Sequence, residues 1–496
     1  DKSILVWDMN WQYVSFFSWL TRTIRETTAD SIFYSFSISY GSSTLGLLGY
    51  YLLSPFNVIL LLFDTVNLPL GLWIVTILKL SCCGLTMYLF LARSFEQNRK
   101  DFLLFSTSYA VMGYNVAQMQ NIMWIDAVIL LPLVALGIKN YVKKKKFGLF
   151  VLSLAAAVAI NFYTGYMLCL FSAIYLLAEV ALDSEQFVFK KIFKKYFGGL
   201  FYIVLAVMMS GFSLLPVYYE ISGSRMKESS LRSTFYMLKN LDSRMWELGN
   251  KLCIGTYNVH QLKSGLPNIY AGCLCFVLFI LFFVSRKYKV SKKEKIIYAI
   301  TCVVLLLSFV SVGVNMIWHG FAQANGSPYR YSFFVSFLMI EIASRQYLKI
   351  QEGQEMVRKK DAAELVNIGI AAILGAFLLY KGFVQYKIDE SDYLNLSQIL
   401  LTVGFILVWF VLLKLRKSHK MMIGTYKSYC MLFFLIIELG LNMGIDISHF
   451  SYEKIGEYQA YVQETESVLK QIRKLDADPF YRIENDIRYE QRNCND

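Results

Sequence analysis

Alternate hydrophobic stretches of this chain end in runs of lysine and arginine, and the loops between those runs carry almost none. Arg93, Arg99 and Lys100 make the first run, Lys139 with Lys143 to Lys146 the second, and Lys190, Lys191, Lys194 and Lys195 the third. Further runs lie at 286–295, 345–360 and 414–420, whereas the loops at 116–124 and 161–166 have no charge. Basic loops resist translocation, so a Lys/Arg excess on alternate connections orients a polytopic membrane protein. The pattern predicts basic runs in the cytoplasm and uncharged loops outside. Ionisable residues among those outer loops then need an explanation.

Composition agrees. Hydrophobic residues make up 56% of 496 and charged residues only 17%, too few to cover a soluble protein of this size. The net charge of +13 is spread over short loops rather than gathered on one face. Anionic headgroups of membrane lipids account for it, and no nucleic acid is expected as a partner. The nine cysteines include a CC pair, Cys82 and Cys83, and a CxC, Cys273 and Cys275, in apolar segments; none has zinc-site spacing, and the histidines are scattered. No HExxH, P-loop or GxGxxG pattern appears. No cofactor is expected; a divalent metal is possible but not indicated.

About twenty apolar residues cross a bilayer. That measure gives twelve spans, at about 70–92, 102–116, 125–140, 148–162, 165–181, 197–218, 267–285, 296–314, 330–346, 364–381, 396–413 and 427–446. Residues 46–63 are apolar but broken at Ser54-Pro55, and they read as a re-entrant or interfacial helix pair. The fold class is therefore an all-α polytopic membrane protein, with a transmembrane module over 1–446 and an extracytoplasmic region beginning at 447–496. A helix within TESVLKQIRKL should place Val468, Leu469, Ile472 and Leu475 on one apolar face. The chain opens on Asp1 and closes on RNCND, so a further helix upstream and a further domain downstream are expected.

Four ionisable groups fall on the outer side. Asp8 lies in VWDMNWQY, with Gln12 and Tyr13 a turn later; the alternative is a helix-capping aspartate. Asp126 begins a span beside Trp124, where the helix dipole favours a carboxylate. Arg330 opens a span on the side where basic residues are scarce, so two effects disfavour it, and binding of an anion would explain its presence. His319 lies in the same loop, flanked with Arg330 by Asn325-Gly326, and the two read as a cationic pair able to hold a phosphate. Asn161 and Tyr163 add neutral hydrogen-bonding groups, and Tyr34, Tyr40, Tyr50, Tyr51 and Trp318 add aromatic faces.

Several segments resemble the YfhO family of bacterial multipass membrane proteins. They are DMNWQY at 8–13, FYSFSISYGSSTLGLLGYYLLSPFN at 33–57, YNVAQMQNIMWIDAVILLPL at 114–133, NFYTGYM at 161–167, GLPNIYAG at 265–272 and IWHGFAQANGSPYRYSF at 317–333. DPFYRIE at 478–484 resembles the start of that family's extracytoplasmic C-terminal region. The resemblance implies a GT-C-like helical bundle at the bacterial plasma membrane with an exoplasmic active site. It implies a glycosyltransferase that takes a polyprenyl-phosphate-linked sugar as donor and decorates lipoteichoic acid. The essential acid that such enzymes place in the first outer loop would fall on Asp8. Arg330 and His319 would then hold the donor phosphate, with Gln12, Tyr13, Trp124, Asp126, Asn161, Tyr163 and Asn325 in support. Two other readings remain: a transporter or flippase of a lipid-linked or anionic precursor, and a non-catalytic envelope assembly protein.

Overall fold

The computed structural model describes residues 2–25, 31–36, 41–184, 188–223, 231–258, 260–285, 290–354, 393–415 and 421–475. Helix dominates them; the one paired sheet element among the described residues joins Tyr34–Ser35 to Ser42–Ser43, antiparallel. Six helices are long and apolar enough to cross a membrane: Leu68–Ser94, Ile125–Lys144, Phe162–Asp183, Phe189–Met209, Leu396–Leu413 and Ser428–Ser448. Leu45–Leu52 and Pro55–Leu62 form a pair bent by 91°. Pro55 lacks an amide hydrogen and holds Ser54 extended, so one continuous helix cannot run through this point.

The other expected spans differ in instructive ways. Gly148–Ile160 and Cys273–Val284 are apolar but short. Lys292–Val310 and Phe333–Gln354 are long, but charged residues interrupt their apolar character. The stretch expected at 102–116 divides into Phe102–Ala110 and Gly113–Ala117. That expected at 197–218 divides at Ser210, whose hydroxyl donates to the carbonyls of Ala155 and Ala206. The stretch expected at 364–381 lies outside the described residues, as does Tyr40.

Contacts collect the described parts of the basic runs before residue 350 at one end of the bundle. Lys144 pairs with Glu96 at 2.9 Å, Tyr141 donates to the Lys195 carbonyl at 2.8 Å, and Lys293 reaches the Leu182 carbonyl at 3.1 Å. Arg345 pairs with Glu294 at 3.3 Å. Asp126 lies at the opposite end of the Ile125–Lys144 helix, about 27 Å away at 1.5 Å per residue. Lys139 departs from expectation. Its side chain turns into the bundle and pairs with Glu341 at 2.6 Å and Glu179 at 3.5 Å, while Tyr175 and Tyr298 donate to the same Glu341.

Small residues let the helices approach: a Cβ on Gly137 would collide with the Phe150 backbone, and one on Gly165 with Val158. Large aromatic side chains fill the rest, with Phe171 stacked on Phe334 at 4.4 Å. The two ends of the described chain meet. The amide of Ser3 donates to the Glu453 carbonyl at 2.9 Å and the amide of Glu453 to the Leu5 carbonyl at 3.3 Å. The following helix, Ile455–Leu475, buries Tyr458 and Val462, and Tyr458 donates to the Thr65 carbonyl. Its expected apolar face is not the packed one: Val468 is 47% exposed and Leu475 89%. The contact with the bundle lies about two to three turns earlier.

Candidate functional site

Five loops meet at the end of the bundle opposite the basic runs, and the first carries Asp8. Met9–Tyr13 is a π-helical turn, whose wider winding brings Tyr13 back towards a residue five positions earlier. The Tyr13 hydroxyl is shared between Asp8 Oδ2 at 3.3 Å and Asn121 Oδ1 at 3.1 Å. Asp8 precedes this turn yet makes no side-chain cap hydrogen bond, so the capping role is not the one its carboxylate performs. Asp8 is exposed while Tyr13 is buried. Burial, and after it the Asp8 charge, raises the Tyr13 pKa, so its hydroxyl stays protonated as a donor. Gln12 is exposed beside them.

The second loop continues the chain of bonds. Asn121 Nδ2 donates to Gln118 Oε1 at 2.7 Å, and Gln118 Nε2 to Ser327 Oγ at 3.4 Å. This loop is fixed from below by a buried lysine. Lys79 Nζ donates to the Ile122 carbonyl at 2.9 Å and to Asp126 Oδ2 at 2.7 Å, and Ser54 Oγ donates to Asp126 Oδ1 at 2.9 Å. Asp126 is therefore enclosed, tying the loop to the bend at Ser54-Pro55.

Arg330 occupies the centre. Its guanidinium lies over the Trp124 ring at 4.7 Å and the Tyr163 ring at 5.2 Å. Nη2 donates to the carbonyls of Asn325 at 2.7 Å and Gly326 at 3.1 Å, so Asn325 contributes its main chain and leaves its amide outside. The turn supplying those carbonyls runs through positive φ at Gly326 (69°) and Ser327 (42°), a conformation that strains the serine. Next door, Tyr329 donates to Asp242 at 2.7 Å and Arg244 pairs with the same carboxylate at 2.8 Å. Burial by itself would raise Asp242; these donors outweigh it and bring the carboxyl to about 2.

His319 reaches Arg330 indirectly. Its Nε2 lies 2.8 Å from the Pro328 carbonyl, which only accepts, so Nε2 carries the proton. Nδ1 is left to accept the Tyr163 hydroxyl at 2.5 Å. Burial first, then the Arg330 charge, lowers the His319 pKa to about 4. The positive charge expected from two side chains thus comes from one. Asn161 caps the Phe162–Asp183 helix by accepting from Thr164 and donates to the Tyr50 carbonyl at 2.7 Å. Trp124 Nε1 donates to the Tyr50 hydroxyl at 3.2 Å, and the Tyr50 ring meets Tyr51 at 4.5 Å and Tyr163 at 5.8 Å.

The expected residues Asp8, Tyr13, Trp124, Asn161, Tyr163, His319, Asn325 and Arg330 are therefore gathered around one aromatic floor. Asp8 and Arg330 form no ion pair with each other; Tyr13, Tyr50 and Tyr51 lie within electrostatic reach of both. Two of the other expected aromatics stand apart: Trp318 stacks on Tyr331 at 4.7 Å in the core, and Tyr34 is 42% exposed on the hairpin. Gln118, Asn121 and Lys79 were not singled out from the sequence. Lys79 had a signal, a lone lysine in LWIVTILKLSCC; the amides had only their place in an outer loop. Among the described residues no group of three His, Cys, Asp or Glu side chains is placed to hold a metal ion. The floor can hold an anion at Arg330, present a carboxylate at Asp8 and stack a flat or pyranose ring between them.

Over residues 1–496 the chain matches the family described as bacterial membrane protein YfhO. No curated protein and no solved structure matches it.

Proposed function

The chain belongs to the YfhO family of bacterial membrane proteins, and from that membership we propose that it is a membrane glycosyltransferase of the GT-C type. In this reading a polyprenyl-phosphate-linked sugar is the donor. The acceptor is an extracytoplasmic polymer such as lipoteichoic acid, met at the outer face of the plasma membrane. The observation that carries the reading is the shared floor: one exposed carboxylate bonded to Tyr13 and one guanidinium lying over Tyr163.

The reaction is a single displacement. Asp8 takes the proton of an acceptor hydroxyl, whose oxygen forms a bond to the anomeric carbon. The bond from that carbon to the phosphate oxygen breaks, and the electron pair leaves with the lipid phosphate. Tyr13 orients Asp8 through its hydroxyl. Arg330 meets the charge that develops on the phosphate, and its plane is already fixed by two aromatic faces and two carbonyls. A phosphate leaving group is a weak base, so no strong general acid is needed, and the neutral His319 keeps its Nε2 proton on the Pro328 carbonyl. Its role is to turn Tyr163, which it holds by the hydroxyl. The lipid chain would enter along the bent pair, where Val58 and Leu62 are 66% and 80% exposed.

The transporter reading draws on a different observation: ionisable residues buried within the bundle, Lys139, Glu179 and Glu341 among them. Those charges are paired with one another, and that favours a structural role. Glycan analysis of lipids and envelope polymers, in a deletion strain carrying the wild type or Asp8→Asn, tests the proposal. A sugar decoration lost on deletion and restored by the wild type alone supports it. No change in any glycan on deletion would overturn it.

A further inference from the structure

Four tyrosine hydroxyls act electrostatically on the Arg330 guanidinium: Tyr163, Tyr50, Tyr13 and Tyr114. The Tyr163 hydroxyl is bonded to His319 and that of Tyr13 to Asp8 and Asn121, while that of Tyr50 accepts from Trp124. The Tyr114 hydroxyl is buried without a hydrogen-bond partner, although the residue is only 1% exposed. Arg330 Nε is likewise buried and unpartnered. Tyr114 belongs to the short Gly113–Ala117 helix, and its ring packs on Phe333 at 5.0 Å, three residues beyond Arg330.

A buried polar group with no partner is costly, and phenylalanine would fill the same volume without that cost. Two such groups in one electrostatic neighbourhood have a chemical meaning. Nε–H can only donate, and the Tyr114 hydroxyl is free to donate, so both are satisfied by one acceptor placed between them. We propose that Tyr114 and Arg330 Nε form the seat of a single phosphate oxygen, making Tyr114 an anion ligand in its own right. The inference rests on the reading of Arg330 as the phosphate-binding residue and adds a second ligand to it. Nη2 keeps the Asn325 and Gly326 carbonyls, so the seat uses Nε and leaves the plane of the guanidinium where it is.

A structural tyrosine and a ligand tyrosine differ in sign. Tyr114→Phe removes one hydroxyl and leaves the ring in place. The purified full chain in detergent, titrated with farnesyl phosphate and with farnesol as the uncharged control, is compared with Tyr114→Phe and Arg330→Ala. The expected result is at least about tenfold weaker farnesyl phosphate binding by Tyr114→Phe. Its melting temperature without phosphate should be equal to or above that of the wild type. Inorganic phosphate is added as a competitor. Displacement at comparable concentration identifies the phosphate group alone as the ligand, and its failure identifies the lipid-linked form; both agree with the seat. Unchanged binding by Tyr114→Phe, with Arg330→Ala impaired, overturns the inference and leaves the reading of Arg330 intact. Unchanged binding by Arg330→Ala removes both. A lower melting temperature for Tyr114→Phe shows a structural hydroxyl and overturns the seat.

Discussion

Lys79 and Asp126 stand 2.7 Å apart with side chains 1% and 4% exposed, one in the first long helix and the other at the start of the second. The pair fixes two elements at once, since Lys79 also binds the Ile122 carbonyl and Asp126 also accepts from Ser54. Buried pairs of this kind cost much to break and little to replace.

Lys79→Met should therefore destabilise the protein by about 3–5 kcal/mol, because it leaves the Asp126 carboxylate buried without its cation. The double variant Lys79→Met/Asp126→Leu should recover most of that loss in denaturant unfolding in detergent. Phosphate-lipid binding should not recover with it, since the loop carrying Asn121 and Trp124 has lost its tether. Losses that simply add in the double variant would contradict the pairing.

Asp8→Asn tests the carboxylate as a base. The side chain is exposed and makes no cap bond, so the melting temperature should not move. Sugar transfer should fall by about 10²–10⁴-fold, the usual worth of a positioned acid or base, with donor binding little changed. Wild-type transfer by this variant would remove Asp8 from the chemistry.

The pH dependence follows from His319. A folded-state pKa of about 4, below the ordinary value of 6.5, means that the unfolded chain takes up the proton first as pH falls. Stability contributed by the neutral ring is complete above pH 6.5 and is lost between there and about 4, amounting to about 3 kcal/mol at most. Melting temperature should drop over that window in the wild type, and more gently in His319→Asn. Parallel curves for the two would show that the ring does not titrate as its surroundings require.

Orientation can be read by labelling. Asn325 and Lys144 are both exposed, at opposite ends of the bundle. A cysteine at Asn325 should react with an impermeant maleimide in intact cells, and one at Lys144 only after permeabilisation. Reaction of both from the same side would reverse the topology and the site with it.

The helices and their alternating ends were legible because hydrophobicity and charge are properties of segments, and the bend at Ser54-Pro55 because proline acts locally. What stayed hidden depends on rotation and on neighbours far along the chain. Lys139 sits in a basic run, but its turn of the helix faces Glu341, 202 residues away. The charge on His319 follows from the carbonyl of Pro328 and the hydroxyl of Tyr163, neither of which its own segment announces as a partner. Asn325 meets Arg330 through its carbonyl, and a backbone acceptor leaves no mark in residue type.

The pairing of Ser3 with Glu453 spans 450 residues, and Asp8 lies five residues from one end of it. At a synthesis rate of about 5–20 residues per second, the partner strand emerges roughly 20–90 seconds after the first. Until then the segment bearing the carboxylate is held on one side only, by Tyr13 at Asn121. Arg330 follows Asp8 by 322 residues, so a chain stalled part-way through the membrane carries the carboxylate without the guanidinium that completes the site.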